Sequence, residues 1–108
     1  MSGQLVIGDD LSIPVQLKKS GLSFTIPGTA TVEAAIVDTD RSALLSDIVT
    51  CIEGATGADW TTSLVIVDFT EIQSAAIPRG EAYLEIQVDD NGKNTWFVSV
   101  EAIQGNIP

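Results

Sequence analysis

The chain contains no histidine. That removes the commonest general base and the commonest metal ligand, and with them any Ser-His-Asp or Cys-His mechanism. A single cysteine, Cys51, excludes an internal disulfide; standing alone, it reads as a small buried apolar side chain rather than a reactive thiol. Lysine and arginine together number five against fifteen acidic residues, and Lys18, Lys19, Arg41, Arg79 and Lys93 are scattered. Nucleic acids and anionic membrane surfaces are held by clustered positive charge, so neither is expected as a partner. No apolar run approaches the ~20 residues of a membrane span. The opening residues, MSGQLVIGDD, have no charged leader region and no apolar core of signal-peptide length, so synthesis in the cytoplasm without signal-peptide export is expected. There is no Gly-rich phosphate loop, no internal repeat and no low-complexity segment.

What is present is enough apolar material for one core. At 108 residues with 44% hydrophobic residues, a single domain over residues 1–108 is expected, and disorder is not. A net charge of −10 implies a soluble, self-repelling surface, so self-association would need a locally uncharged face.

Patterning is mostly of period two. After a short lead-in over residues 1–9, Leu11, Ile13, Val15 and Leu17 alternate with Ser12, Pro14, Gln16 and Lys18, as in a half-buried strand. Pro14 cannot donate to a ladder, which puts this strand at an edge or a bulge. Leu22–Ile26 reads as a short strand or a loop. In Thr29–Val37, Ala30, Val32, Ala34 and Ile36 share one face. Residues 41–53 carry a helix-like spacing of Leu44, Leu45, Ile48, Val49 and Ile52, but Ile48-Val49-Thr50-Cys51-Ile52 is β-branched, which favours one or two short strands.

The clearest stretch is 64–103. Leu64–Val67 is apolar on both faces, predicting a central strand with cover on each side. Thr70 is a candidate cap for one helical turn over 70–76. Ala82–Val88 is the next strand, Asp89-Asp90-Asn91-Gly92 a hairpin turn, and Thr95–Ile103 the last strand, with a loose tail over Gln104–Pro108. About seven short strands with turn residues between them predict an all-β, immunoglobulin-like antiparallel sandwich. Tyr83, after the Ile77-Pro78-Gly80 corner, is placed to act as a tyrosine corner, its hydroxyl bonding backbone upstream.

Candidate chemistry is sparse. Asp9/Asp10, Asp38/Asp40 and Asp89/Asp90/Asn91 could offer calcium ligands, but the full loop spacing with a closing Glu is absent and turn geometry accounts for them. With fifteen acidic residues some pair lies at any chosen spacing, so a glycosidase cannot be argued from carboxylates. No catalytic, cofactor-binding or metal residue is assigned, and no enzyme is expected. Trp60, Trp96, Phe97 and Tyr83 could build a sugar-stacking platform or belong to the core. Trp96 and Phe97 are neighbours in a strand, so they face opposite ways, and the exposed one would mark a contact surface. Trp96, Phe97, Trp60 and Pro14 are the candidate interaction residues.

Gly8-Asp9-Asp10-Leu11 running into Ile13-Pro14-Val15-Gln16-Leu17, then Asp68-Phe69-Thr70-Glu71, Ile77-Pro78-Arg79-Gly80-Glu81-Ala82-Tyr83-Leu84-Glu85-Ile86 and Asp90-Asn91-Gly92-Lys93-Asn94-Thr95-Trp96, resemble small immunoglobulin-like proteins of tailed bacteriophages and prophages. The type is that at the N-terminus of upper baseplate proteins. Residues 41–59 match nothing in that pattern. The resemblance implies a non-enzymatic virion component of the tail, baseplate or head-tail region, found in the virion. It would contact other virion proteins or itself, through a complementary face or by strand addition at the Leu11–Leu17 edge. The alternative is a carbohydrate- or cell-surface-binding sandwich using an exposed aromatic. No cofactor is implied.

Overall fold

The period-two stretches become strands. The computed structural model describes residues 3–55 and 57–104. Among them are seven strands: β1 Gly3–Ile7, β2 Leu11–Gln16, β3 Thr31–Val37, β4 Val49–Cys51, β5 Leu64–Phe69, β6 Gly80–Asp89 and β7 Lys93–Gln104. Five form one sheet in the order β1-β7-β6-β3-β4, and β2 and β5 form a second. The two sheets pack as an all-β sandwich. The expected number of about seven strands is found, divided five to two between the sheets.

Register explains what lies between the sheets. Val32, Ala34 and Ile36 of β3 sit opposite Val88, Ile86 and Leu84 of β6, and Leu84 and Ala82 sit opposite Val98 and Val100 of β7. All alternate onto one face, where they meet Val15 of β2 and Val65, Val67 and Phe69 of β5 in a single buried cluster. Burying each of the valine, leucine, isoleucine and phenylalanine side chains favours folding by about 1.5–3 kcal/mol.

Several expectations change. The lead-in is not idle: Gly3–Ile7 is β1, running parallel to β7 with Leu5 opposite Ala102. β5 is covered on both faces but is not a central strand, since it pairs with β2. Its outward residue, Ile66, is buried, and Gly57 lies against it. In 41–53 the strand reading holds for Val49–Cys51, while Leu44 forms a lone bridge to Val37. Leu22–Ile26 is loop apart from a bridge between Leu22 and Lys19. The β6–β7 connection has three residues, Asp90-Asn91-Gly92, since Asp89 pairs with Lys93; Asn91 takes the left-handed φ of 57°. Gln104 belongs to β7; residues 105–108 of the expected loose tail lie outside the described residues.

One helical turn forms as predicted. α1 spans Glu71–Ala75, with Thr70 accepting from the Gln73 N–H and Gln73 reaching back to the Thr70 N–H in a reciprocal capping box. Its Ser74 is fully buried. The Ser74 hydroxyl donates to the Asp9 carbonyl (2.6 Å) and accepts from the Gly8 N–H (2.9 Å), while the Asp10 carboxylate accepts from the Glu71 N–H (2.8 Å). The Gly-Asp-Asp turn between β1 and β2 is thus tied to α1.

A candidate interaction surface on the outer face of the large sheet

Alternation that sends Leu84 and Ile86 inward sends Glu81, Tyr83, Glu85 and Gln87 outward. Across β6, Tyr83 lies between Val37 and Ser99, and Glu85 between Ala35 and Phe97. Phe97 is therefore the outward member of the Trp96/Phe97 pair, 36% exposed. Its ring meets Tyr83 edge to face at 6.1 Å between centroids. The tyrosine-corner expectation is not met: Tyr83 faces away from the core and its ring is engaged on this outer surface.

A third side chain completes the cluster. The Arg41 guanidinium sits 4.7 Å from the Tyr83 ring centre and 4.5 Å from that of Phe97, a geometry in which the ring quadrupoles attract the cation. The turn that delivers it is built by Asp38. Its carbonyl accepts from the Arg41 N–H (2.9 Å), and its carboxylate accepts from the N–H groups of Ser42 (2.8 Å) and Ala43 (3.3 Å). The Ser42 backbone bond, foremost, holds the Asp38 carboxyl below its ordinary value. Arg41 itself adopts φ 59°, which costs a non-glycine residue energy. Asp38 thus serves turn geometry, the reading that needs no calcium. Among the described residues no three His, Cys, Asp or Glu side chains group to hold a metal.

The chain then returns along β3. The Leu45 N–H donates to the Ile36 carbonyl (2.8 Å) and the Ser46 hydroxyl accepts from the Ile36 N–H (2.8 Å). Leu45 turns toward the core. Leu44 and Ile48, each 56% exposed, project instead beside Ala35, Glu33, Glu85 and Gln87 around a shallow dimple of ≈ 90 Å³. Arg41, Leu44, Ile48, Tyr83 and Phe97 therefore form an exposed cluster. By contrast Leu22 and Ile72, also exposed, belong to separate elements, as single surface apolar residues commonly do, while Ile52 flanks β4 at the end opposite Ile48.

The four sequence candidates separate. Trp60 is buried in the core. Trp96 lies half-buried on the inner face, stacked on Phe24 at 5.6 Å, its indole N–H donating to the Lys18 carbonyl (3.0 Å). The four aromatics considered for a sugar platform are thus divided between the two faces. Pro14 is exposed at the free edge of β2. The Leu17 N–H donates to the Ser63 carbonyl (3.0 Å). Counting back in twos along an antiparallel ladder, Val15, Ile13 and Leu11 also turn their N–H groups to β5, and Gln16 and Ser12 turn theirs outward, as does the position of Pro14, which has none. Pro14 removes a donor from the exposed edge without weakening the ladder, which discourages edge pairing. Beside this edge a groove of ≈ 540 Å³ separates β1 from β2, reaching Leu84, Val98 and Val100.

Arg41, Leu44 and Ile48 escape a sequence reading of the site. Arg41 looks like one of five scattered cations, and 41–53 has mixed periodicity. For Trp96 against Phe97 a signal does exist. Val98, Val100 and Ala102 share the parity of Trp96, whereas Ser99 and Glu101 share that of Phe97.

Cys51 belongs to the core on β4, opposite Val32 of β3. Burial, and secondarily the charge of Asp68, push its thiol up to about 11 from an ordinary 9.0. Well below pH 9 the thiol stays largely protonated in both folded and unfolded chains, so its contribution to stability is complete; the contribution is lost as pH rises through 9 toward 11. At pH 8 the folded chain holds roughly 100-fold less thiolate than the unfolded chain. Iodoacetamide should therefore label Cys51 rapidly in urea and very slowly in buffer, followed by mass spectrometry; fast labelling in buffer would place Cys51 outside the core.

The sequence matches no protein-family model, and a search of curated proteins finds no match.

Proposed function

We propose that this chain is a non-enzymatic structural or assembly protein of a tailed-phage or prophage particle, acting through protein–protein contacts on the outer face of its five-stranded sheet. The observation that carries the contact reading is the Arg41–Tyr83–Phe97 cluster flanked by exposed Leu44 and Ile48. Tyrosine and arginine dominate binding energy where they stand amid an apolar patch, and a chain of net charge −10 associates best where its surface is apolar. The particle reading is supported by the sequence resemblance set out above. Pro14 and the outward-facing side of β2 favour use of a face over addition of a strand.

The test is whether the chain travels with particles. Tagged at its own locus, the protein should co-sediment with purified particles, and Phe97→Ala should leave it folded but largely free in the supernatant. A wild-type chain absent from particles would overturn the particle reading. Binding to a glycan array that Phe97→Ala abolishes would favour a carbohydrate module instead.

A further inference from the structure

Resting on that protein-contact reading, we infer that the occupant of this face is a different protein, apolar at the centre of its contact and rimmed with lysine and arginine, and not a second copy of this chain. The carrying observation is the charge around the cluster. Glu33, Glu81, Glu85 and Glu101 all share the outward parity of Tyr83 and Phe97. Glu81 and Glu101 are direct cross-strand partners, an arrangement that destabilises a sheet because like charges face each other at ~5 Å.

Lys93, opposite Asp89 at the far end of the β6–β7 ladder from Glu81 and Glu101, shares this face but pairs with none of the four glutamates among the described residues. The Arg41 cation is turned onto the two aromatic rings. Glu85 accepts from the neutral amide of Gln87 (3.0 Å). Among the described residues none of the four carboxylates forms an ion pair. An apolar centre with an uncompensated acidic rim is electrostatically complete when a basic rim docks on it. A second copy meets the opposite situation. A twofold contact repeats the same patch on both sides, so glutamate would face glutamate between two chains that each carry −10.

The experiment uses the whole chain, isotope-labelled, titrated by NMR with two synthetic peptides. Both have the same Leu/Trp centre; one is flanked by Lys and Arg, the other by Glu. The Lys/Arg peptide should shift the amides of Arg41, Leu44, Tyr83, Glu81, Phe97 and Glu101 saturably, and the Glu peptide should not bind. Glu81→Lys with Glu101→Lys should weaken the Lys/Arg peptide roughly tenfold or more, while Asp9→Lys with Asp10→Lys, the same charge change away from this face, should not. Equal loss in both double variants, or shifts spread evenly over Asp9, Asp10 and Asp90, would reduce the rim to general acidity and overturn the inference. A wild-type dimer in sedimentation velocity that Phe97→Glu dissociates would also overturn it, in favour of a second copy. If neither peptide binds yet particle incorporation still depends on Phe97, the basic-rim inference fails and the protein-contact reading stands; loss of that dependence removes both.

Discussion

Leu84→Ala is expected to lower the unfolding free energy by about 2–5 kcal/mol, the range for removing a fully enclosed leucine. Leu84 is 0% exposed and sits mid-way along β6, with Ile36 beside it on β3 and Val98 on β7. β6 is the centre of the five-stranded sheet, so its neighbours are held on both sides and cannot collapse freely into the cavity. Domains of this size are stable by only about 5–15 kcal/mol, so the variant should melt far below wild type or fail to fold at growth temperature. Urea unfolding followed by tryptophan fluorescence measures it, with the slope unchanged and the midpoint lowered. Phe97→Ala supplies the contrast. It removes one edge-to-face ring contact and a cation contact at a partly exposed site, worth about 1 kcal/mol. If Phe97→Ala cost as much as Leu84→Ala, the assignment of faces would be wrong.

Ser74→Ala is the second large effect, about 1–3 kcal/mol. One hydroxyl serves the Gly8 N–H and the Asp9 carbonyl at once, from a fully buried position. Alanine keeps the helical turn but strips both backbone groups of their partner. The loss should be local as well as global. Gly8 and its β1 neighbours should exchange amide hydrogens faster, while β6 and β3 keep their protection. Unchanged exchange at Gly8 would mean that the tie between α1 and the β1–β2 turn does not hold that turn.

These effects follow different degrees of legibility. The alternation of Val32, Ala34 and Ile36, or of Ala82, Leu84, Ile86 and Val88, declares strand and face directly, because period two admits one buried side. Thr70 three residues before Gln73 declares its cap. β1 is hidden for a physical reason: GQLVI has no alternation to read, and its partner is nearly a whole chain-length away in β7. Leu64–Val67 signals burial on both faces but not what covers them, and here Gly57 lies against Ile66 where a neighbouring element was expected. Tyr83 is misread because a corner motif fixes position along the chain, not the side of the sheet. The candidate surface is the least legible part. It depends on Asp38 folding a turn that puts Arg41 at positive φ, and on Leu44 and Ile48 leaving the strand pattern. Neither has a spacing to find.

The outer face of the large sheet as the contact surface is most directly tested by hydroxyl-radical footprinting of the chain free and in purified particles. Tyr83, Phe97, Leu44 and Ile48 should lose labelling in the particle, while Leu22 and Ile72, more exposed in the free chain, should label as before. Unchanged labelling of Phe97 and Tyr83, with protection at Ile13, Pro14 and Val98 beside the β1–β2 groove, would contradict the account and move the contact to the open edge of the sandwich.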